Sequence, residues 1–93
     1  MAIDISKLDE GLNKLRGLDF EQCEAQERAA GNTFPELSFN KSFQARLAAR
    51  ALDVPTADIK ELPLKQFAKV TQAVFNFLFN TSDAETPSEK SEE

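Results

Sequence analysis

Apolar residues return along the first half of the chain at helical rather than strand spacing. Leu8, Leu12 and Leu15 recur every three or four positions with Ile5 just ahead, which predicts a helix over about residues 7–16. Ser6 is its N-cap, Asp9 stands three residues on, and Gly17 is its stop. Gly11 inside this helix costs about 1 kcal/mol relative to Ala, so the helix depends on packing. A second helix starts after Asp19 and ends near Gly31-Asn32. Its apolar set is thin (Phe20, Cys23, Ala25, Ala29, Ala30), and Glu21, Glu24 and Glu27 make it a mostly solvated helix. Cys23 shares a face with Phe20 and reads as a small buried hydrophobe rather than a reactive thiol.

Residues 33–39, TFPELSF, are extended or turned at Pro35. No second strand pattern exists to pair with them, so they read as a loop that Phe34, Leu37 and Phe39 anchor on the core. A third helix, capped by Asn40, runs over residues 41–52 with an apolar face of Phe43, Leu47, Ala48, Ala51 and Leu52. Its alanines allow another helix to come close. Val54-Pro55 ends it, and residues 56–61 form one short helical turn with Ile59 and Leu62 pointing inward.

The fourth helix opens at Pro63 and runs to Phe79. At about 100° per residue from Leu64, the residues Phe67, Thr71, Phe75 and Leu78 fall within about 60°. Ala68, Val74 and Phe79 widen that face, while Val70, Ala73 and Phe77 lie at about 180–240°. Only Lys65, Lys69, Gln72 and Asn76 form a polar strip, with Gln66 on the other side. A surface helix buries a stripe a little over 100° wide, and this arc spans about 240°. Either this helix is surrounded by the others or part of it meets a partner. With about 76 ordered residues, few helices are available to surround it. The candidate partner-binding or self-association residues are therefore Leu64, Phe67, Val70, Val74, Phe77 and Leu78, with Val70, Val74 and Phe77 at the intermolecular surface.

The predicted fold is all-α, a small bundle of about four helices in a single domain over residues 1–79. Residues 80–93, NTSDAETPSEKSEE, lack any large apolar side chain and are expected to form a disordered acidic tail. Charge sharpens this division. Residues 1–40 carry eight acids and four bases, residues 41–79 three acids and six bases, and the tail five acids and Lys90. The acidic first part and basic middle can face each other within the fold or between copies, or remain two solvated faces.

Candidate chemistry is sparse. With no His, the chain has no Ser-His-Asp triad, no Cys-His pair and no zinc site of the usual kinds. The three glycines are isolated, so no phosphate-cradling loop exists. No cofactor and no enzymatic activity are expected. No stretch reaches the roughly 20 apolar residues of a membrane span, and the N-terminus is no secretion signal, so the expected location is cytoplasmic. Residues 48–59, AARALDVPTADI, follow a helix-turn-helix pattern. However, Asp53 stands where Gly would take the left-handed turn, and Asp58 and Glu61 would repel phosphates. A small DNA-binding regulator using residues 44–62 is the alternative reading.

From residue 43 onward the chain resembles the tail assembly chaperones of long-tailed bacteriophages. The features that carry the likeness are, in order, the small-residue helix FQARLAARAL, the link DVPTADIKEL and the long helix opened by Pro63 with Leu64, Phe67, Val70, Val74, Phe77 and Leu78. The Ser/Pro/Glu-rich acidic tail follows at once. The resemblance implies a non-enzymatic protein of the host cell cytoplasm. It would bind the long helical tape measure protein, keep its apolar stripes from aggregating and act as a homo-oligomer. In several such systems a longer, frameshifted form recruits the tail tube protein. Neither nucleic acid nor membrane is an expected partner.

Overall fold

The computed structural model describes residues 3–79; the expected acidic tail, residues 80–93, lies outside the described residues. Five α-helices follow one another: α1 (Leu8–Lys14), α2 (Gly17–Ala29), α3 (Lys41–Leu52), α4 (Thr56–Lys60) and α5 (Leu64–Phe79). Single 3-10 turns at Ile5–Lys7 and Leu37–Phe39 precede α1 and α3. Among the described residues there is no strand, and the architecture is all-α as the periodicity predicts.

Local chemistry sets the helix ends. Asp4, not Ser6, caps the first turn by accepting the Ser6 backbone N–H at 3.1 Å. The second helix begins three residues earlier than expected, because the Asp19 carboxylate reaches back to accept the Arg16 backbone N–H at 2.8 Å. At the far end of α2, Gly31 takes φ +99°, which lets Asn32 N–H reach Glu27 O at 2.9 Å and Gly31 N–H reach Arg28 O at 3.0 Å. That pair of bonds is the Schellman closure, which needs a left-handed residue after the last turn. The same closure ends α3, with Val54 N–H on Ala49 O, and here Asp53 supplies the left-handed residue at φ 58°. Asn40 caps α3 by accepting from Phe43 N–H at 3.2 Å, as the sequence predicts.

The central helix is α3, not α5. It packs against α1, α2, α4, α5 and the 3-10 turn before it. Phe43, Gln44, Ala45, Leu47, Ala48 and Ala49 are buried, a set that wraps most of its circumference. Alanines make this geometry accessible, since short side chains let neighbouring backbones approach. One such close approach is at Gly11 of α1. A Cβ built there would stand 2.3 Å from the Ala51 carbonyl oxygen. The glycine is thus required by helix contact, although it weakens α1 as an isolated helix. Around α3 the core is completed by Leu8, Leu12, Cys23, Leu37, Ile59, Val70 and Val74, and the Phe20 ring meets Phe43 edge-on at 4.9 Å.

The opposite charges of the two halves meet within the chain. Arg50 Nε donates to Asp19 Oδ1 at 2.7 Å, and Arg46 Nε to Glu27 Oε2 at 2.6 Å. Rising numbers on α3 pair with falling numbers on α2, so the two helices run antiparallel. Glu27, expected to be solvated, is buried. Burial alone would raise its pKa, but hydrogen bonds from Asn32, Arg46 and Ser42 outweigh that and hold it below the ordinary glutamate value of 4.5. Asp19 is held below 3.8 by the Arg16 backbone N–H and then by Arg50.

Two predictions follow from these contacts. Gly11→Ala is expected to destabilise the fold by about 1–3 kcal/mol through overpacking. That loss would lower Tm by several degrees in thermal denaturation. Gly17→Ala, with nothing within 4 Å of the added carbon, is the neutral control; equal melting temperatures would contradict the close contact. The depressed carboxylates contribute stability that is present above their unfolded-state values and lost as pH falls through the folded ones. Urea midpoints are therefore expected to drop as pH falls below about 4.5. Glu27→Gln should flatten that slope; a wild-type midpoint unchanged down to pH about 3 would contradict it.

Candidate interaction surface

Because α3 holds the centre, α5 lies at the edge of the bundle against α3, α1 and the Leu37–Phe39 turn. Its buried stripe is Val70, Thr71 and Val74, with Phe67 and Leu78 half-buried beside them. On the helical wheel these five span about 100°, the width that one supporting core covers.

This corrects the partner surface expected from periodicity. Val70 and Val74 are fully buried in the chain's own core and cannot meet a partner. Phe67 and Leu78 are half-buried against that core. Leu64 and Phe77 do stand at the surface, 81% and 36% exposed. The physical reason is a rotation of the helix. The wheel showed an apolar arc wider than one core can cover, but not which 100° of it would be covered. The covered part centres near Val74, which leaves an apolar flank on each side.

One flank is Ala73 and Phe77. Phe77 and Leu78 join Leu12, Leu15, Phe20 and Leu47, with Arg16 at the edge, around an apolar groove of about 270 Å³ between α1, the start of α2, α3 and the end of α5. The other flank is Leu64, Ala68, Phe75 and Phe79. Phe79 is 42% exposed, and its ring stacks on Phe39 at 4.9 Å and 6° between planes; Phe75 leans on Phe79 at 4.9 Å and on Phe39 at 6.1 Å.

Phe39 was expected to anchor its loop in the core, together with Phe34 and Leu37. Only Leu37 does so; Phe39 and Phe34 are exposed. In a 3-10 turn, with about three residues per turn, positions two apart point to different sides, so burying Leu37 turns Phe39 outward. The periodicity of residues 33–39 as a loop carried no such signal. Gln44, buried, ties this turn to α3 by donating from Nε2 to Ser38 O at 2.9 Å.

Other candidate chemistry resolves structurally. Cys23 is buried, and burial pushes its thiol pKa up against the pull of Arg50 and Arg46, which keeps it in the neutral form. The corner between α3 and α4 has the left-handed Asp53 of a helix-turn-helix pattern, but α4 has five residues and carries Asp58. Among the described residues no group of three or more Cys, Asp or Glu could hold a metal ion, and no helix is long and apolar enough to cross a membrane. In comparisons with known proteins, no family model, no curated protein and no solved structure matches the chain.

The two sides of α5 respond differently to charge. Val70→Glu is expected to abolish folding, because it buries an unpaired carboxylate. Leu64→Glu and Phe77→Glu should keep wild-type helical circular dichroism and a cooperative melt. Loss of the fold in Leu64→Glu would contradict the assignment of buried and free faces.

Proposed function

We propose that this chain is a tail assembly chaperone of a long-tailed bacteriophage. It is a non-enzymatic protein of the host cytoplasm that binds the tape measure protein and keeps it soluble during tail assembly. The observation that carries this reading is the apolar surplus of α5: an arc of about 240°, of which the chain's own core covers about 100°. Exposed Leu64, Phe77 and Phe79, with Phe39 beside them, leave apolar surface on a rigid helix. A long helical client presents the complementary need, since its apolar stripes lie open until the tail tube encloses them. Helix-on-helix burial of such stripes is a standard mode of recognition, and many copies along one client would multiply weak single contacts. The resemblance over residues 43–93 supports the same reading.

The helix-turn-helix alternative has less support. An α4 of five residues spans only ~7.5 Å, and acids on and beside it oppose phosphate contacts.

Co-expression tests the proposal. A tape measure protein expressed with this chain is expected to remain in the supernatant and to pellet without it. Equal precipitation in both cultures would overturn the chaperone role. Binding to duplex DNA with a steep salt dependence would favour the regulator instead.

A further inference from the structure

The two apolar flanks of α5 are not equivalent. Building on the client-binding reading, we propose that the client helix docks on the Leu64–Ala68–Phe75–Phe79 flank, and that the client's apolar stripe is bordered by acidic residues.

Spacing is the first argument. Positions 64, 68, 72, 75 and 79 are separated by four, four, three and four residues, the alternation that forms a helix–helix seam. Four of the five are apolar, with Gln72 the exception. Together they span about 80° of the wheel. Ala68 and Gln72 also edge a shallow depression of about 450 Å³, with Lys69, Ala73 and Asn76. Its two alanines, Ala68 and Ala73, leave room for a side chain of the partner beside Lys69. At the end of the seam, Phe39 lies flat against Phe79 and is itself 53% exposed, so the pair extends the apolar surface past the helix.

Shape separates this flank from the other. The Phe77 groove holds about 270 Å³ and is walled by four helices, α1, α2, α3 and α5. A docking helix is about 10 Å across, so that groove admits a side chain rather than a rod. The Leu64–Phe79 seam runs the length of α5.

Charge names the partner. Lys65 and Lys69 are the only charged residues of α5, and both lie beside the seam. Neither takes part in an ion pair among the described residues. Lys60, bonded to the Ser42 hydroxyl at 2.8 Å, edges the groove on the other side of Leu64. On α3, by contrast, Arg46 and Arg50 are already neutralised by acids of α2. A helix with Glu or Asp flanking its apolar stripe would meet these lysines, and one flanked by Lys would be repelled.

Two designed helical peptides of about 28 residues test this: four heptads with the same apolar stripe, bordered by Glu in one and by Lys in the other. Fluorescence anisotropy against the full chain at low salt should give about tenfold tighter binding of the Glu peptide, and Lys65→Glu with Lys69→Glu should reverse the preference. Phe79→Ser with Leu64→Ser should weaken the Glu peptide by about tenfold or more, and Phe77→Ser should leave it unchanged. Circular dichroism confirms that each variant is folded. Equal affinity for both peptides, no binding of either, or dependence on Phe77 and not on Phe79 would overturn the seam. So would light scattering that shows wild-type copies associating through Phe79, since the occupant would then be a second copy. Repeating the co-expression with Phe79→Ser and Leu64→Ser keeps the two readings apart. A client protected equally by wild type and variant overturns the seam and leaves the chaperone role standing. A client unprotected by wild type, with the peptide preferences intact, overturns the chaperone role and leaves the seam as a docking site for acidic helices.

Discussion

The whole arrangement depends on how closely other backbones can approach α3. Its sequence, KSFQARLAARAL, places Ala45, Ala48, Ala49 and Ala51 on several sides at once, with Phe43 and Leu47 filling the space between neighbours. A helix with such short side chains can be surrounded in a chain of this size, because each neighbour sits close and few residues are needed to enclose it. Gly11 shows the limit of that approach, where even one carbon would collide with the Ala51 carbonyl. The longer, greasier α5 cannot take this position, since its Phe residues would hold neighbours too far away for a small bundle to close around it.

That constraint determines where surface is left over. With α3 at the centre, α5 contributes one stripe to the core and keeps its remaining apolar side chains on two flanks. Electrostatics follow the same geometry. Arg46 and Arg50 point at α2 and find Glu27 and Asp19, which fixes the antiparallel pairing. Lys65 and Lys69 lie on the outer side of α5, away from α2. Arg46 and Arg50 are thereby satisfied within the chain, whereas Lys65 and Lys69 border the apolar seam without an ion pair among the described residues. An exposed greasy strip edged by unpaired lysines is a surface with both an adhesive and a selective component.

Some of this was legible in the linear chain, and some was legible only in part. The bounds of α3 and its Asn40 cap, the isolated turn after Pro55, the buried Cys23 and the all-helical architecture follow from spacing and capping chemistry that act within a few residues. The width of the apolar arc on α5 was equally plain. Its division was not: Val70 and Val74, which periodicity places at a partner, are core, whereas Phe79, outside the expected partner set, and Phe39, expected on the core, form the exposed end of the seam. Glu27 likewise reads as a solvated acid in the linear chain, because its partner Arg46 is nineteen residues away.

Periodicity, caps and breakers are local quantities, and they decided which segments are helical, where those segments stop and how much apolar surface each one bears. The rotation of α5 about its own axis, the burial of Glu27 and the outward turn of Phe39 depend on which helix occupies the centre. That choice is a competition among packing arrangements of the entire chain, settled by side-chain volume at sites such as Gly11 and Ala51, far apart in the sequence and touching in the fold. A helical wheel measures how much surface must be hidden; only the assembled bundle determines which part of it is.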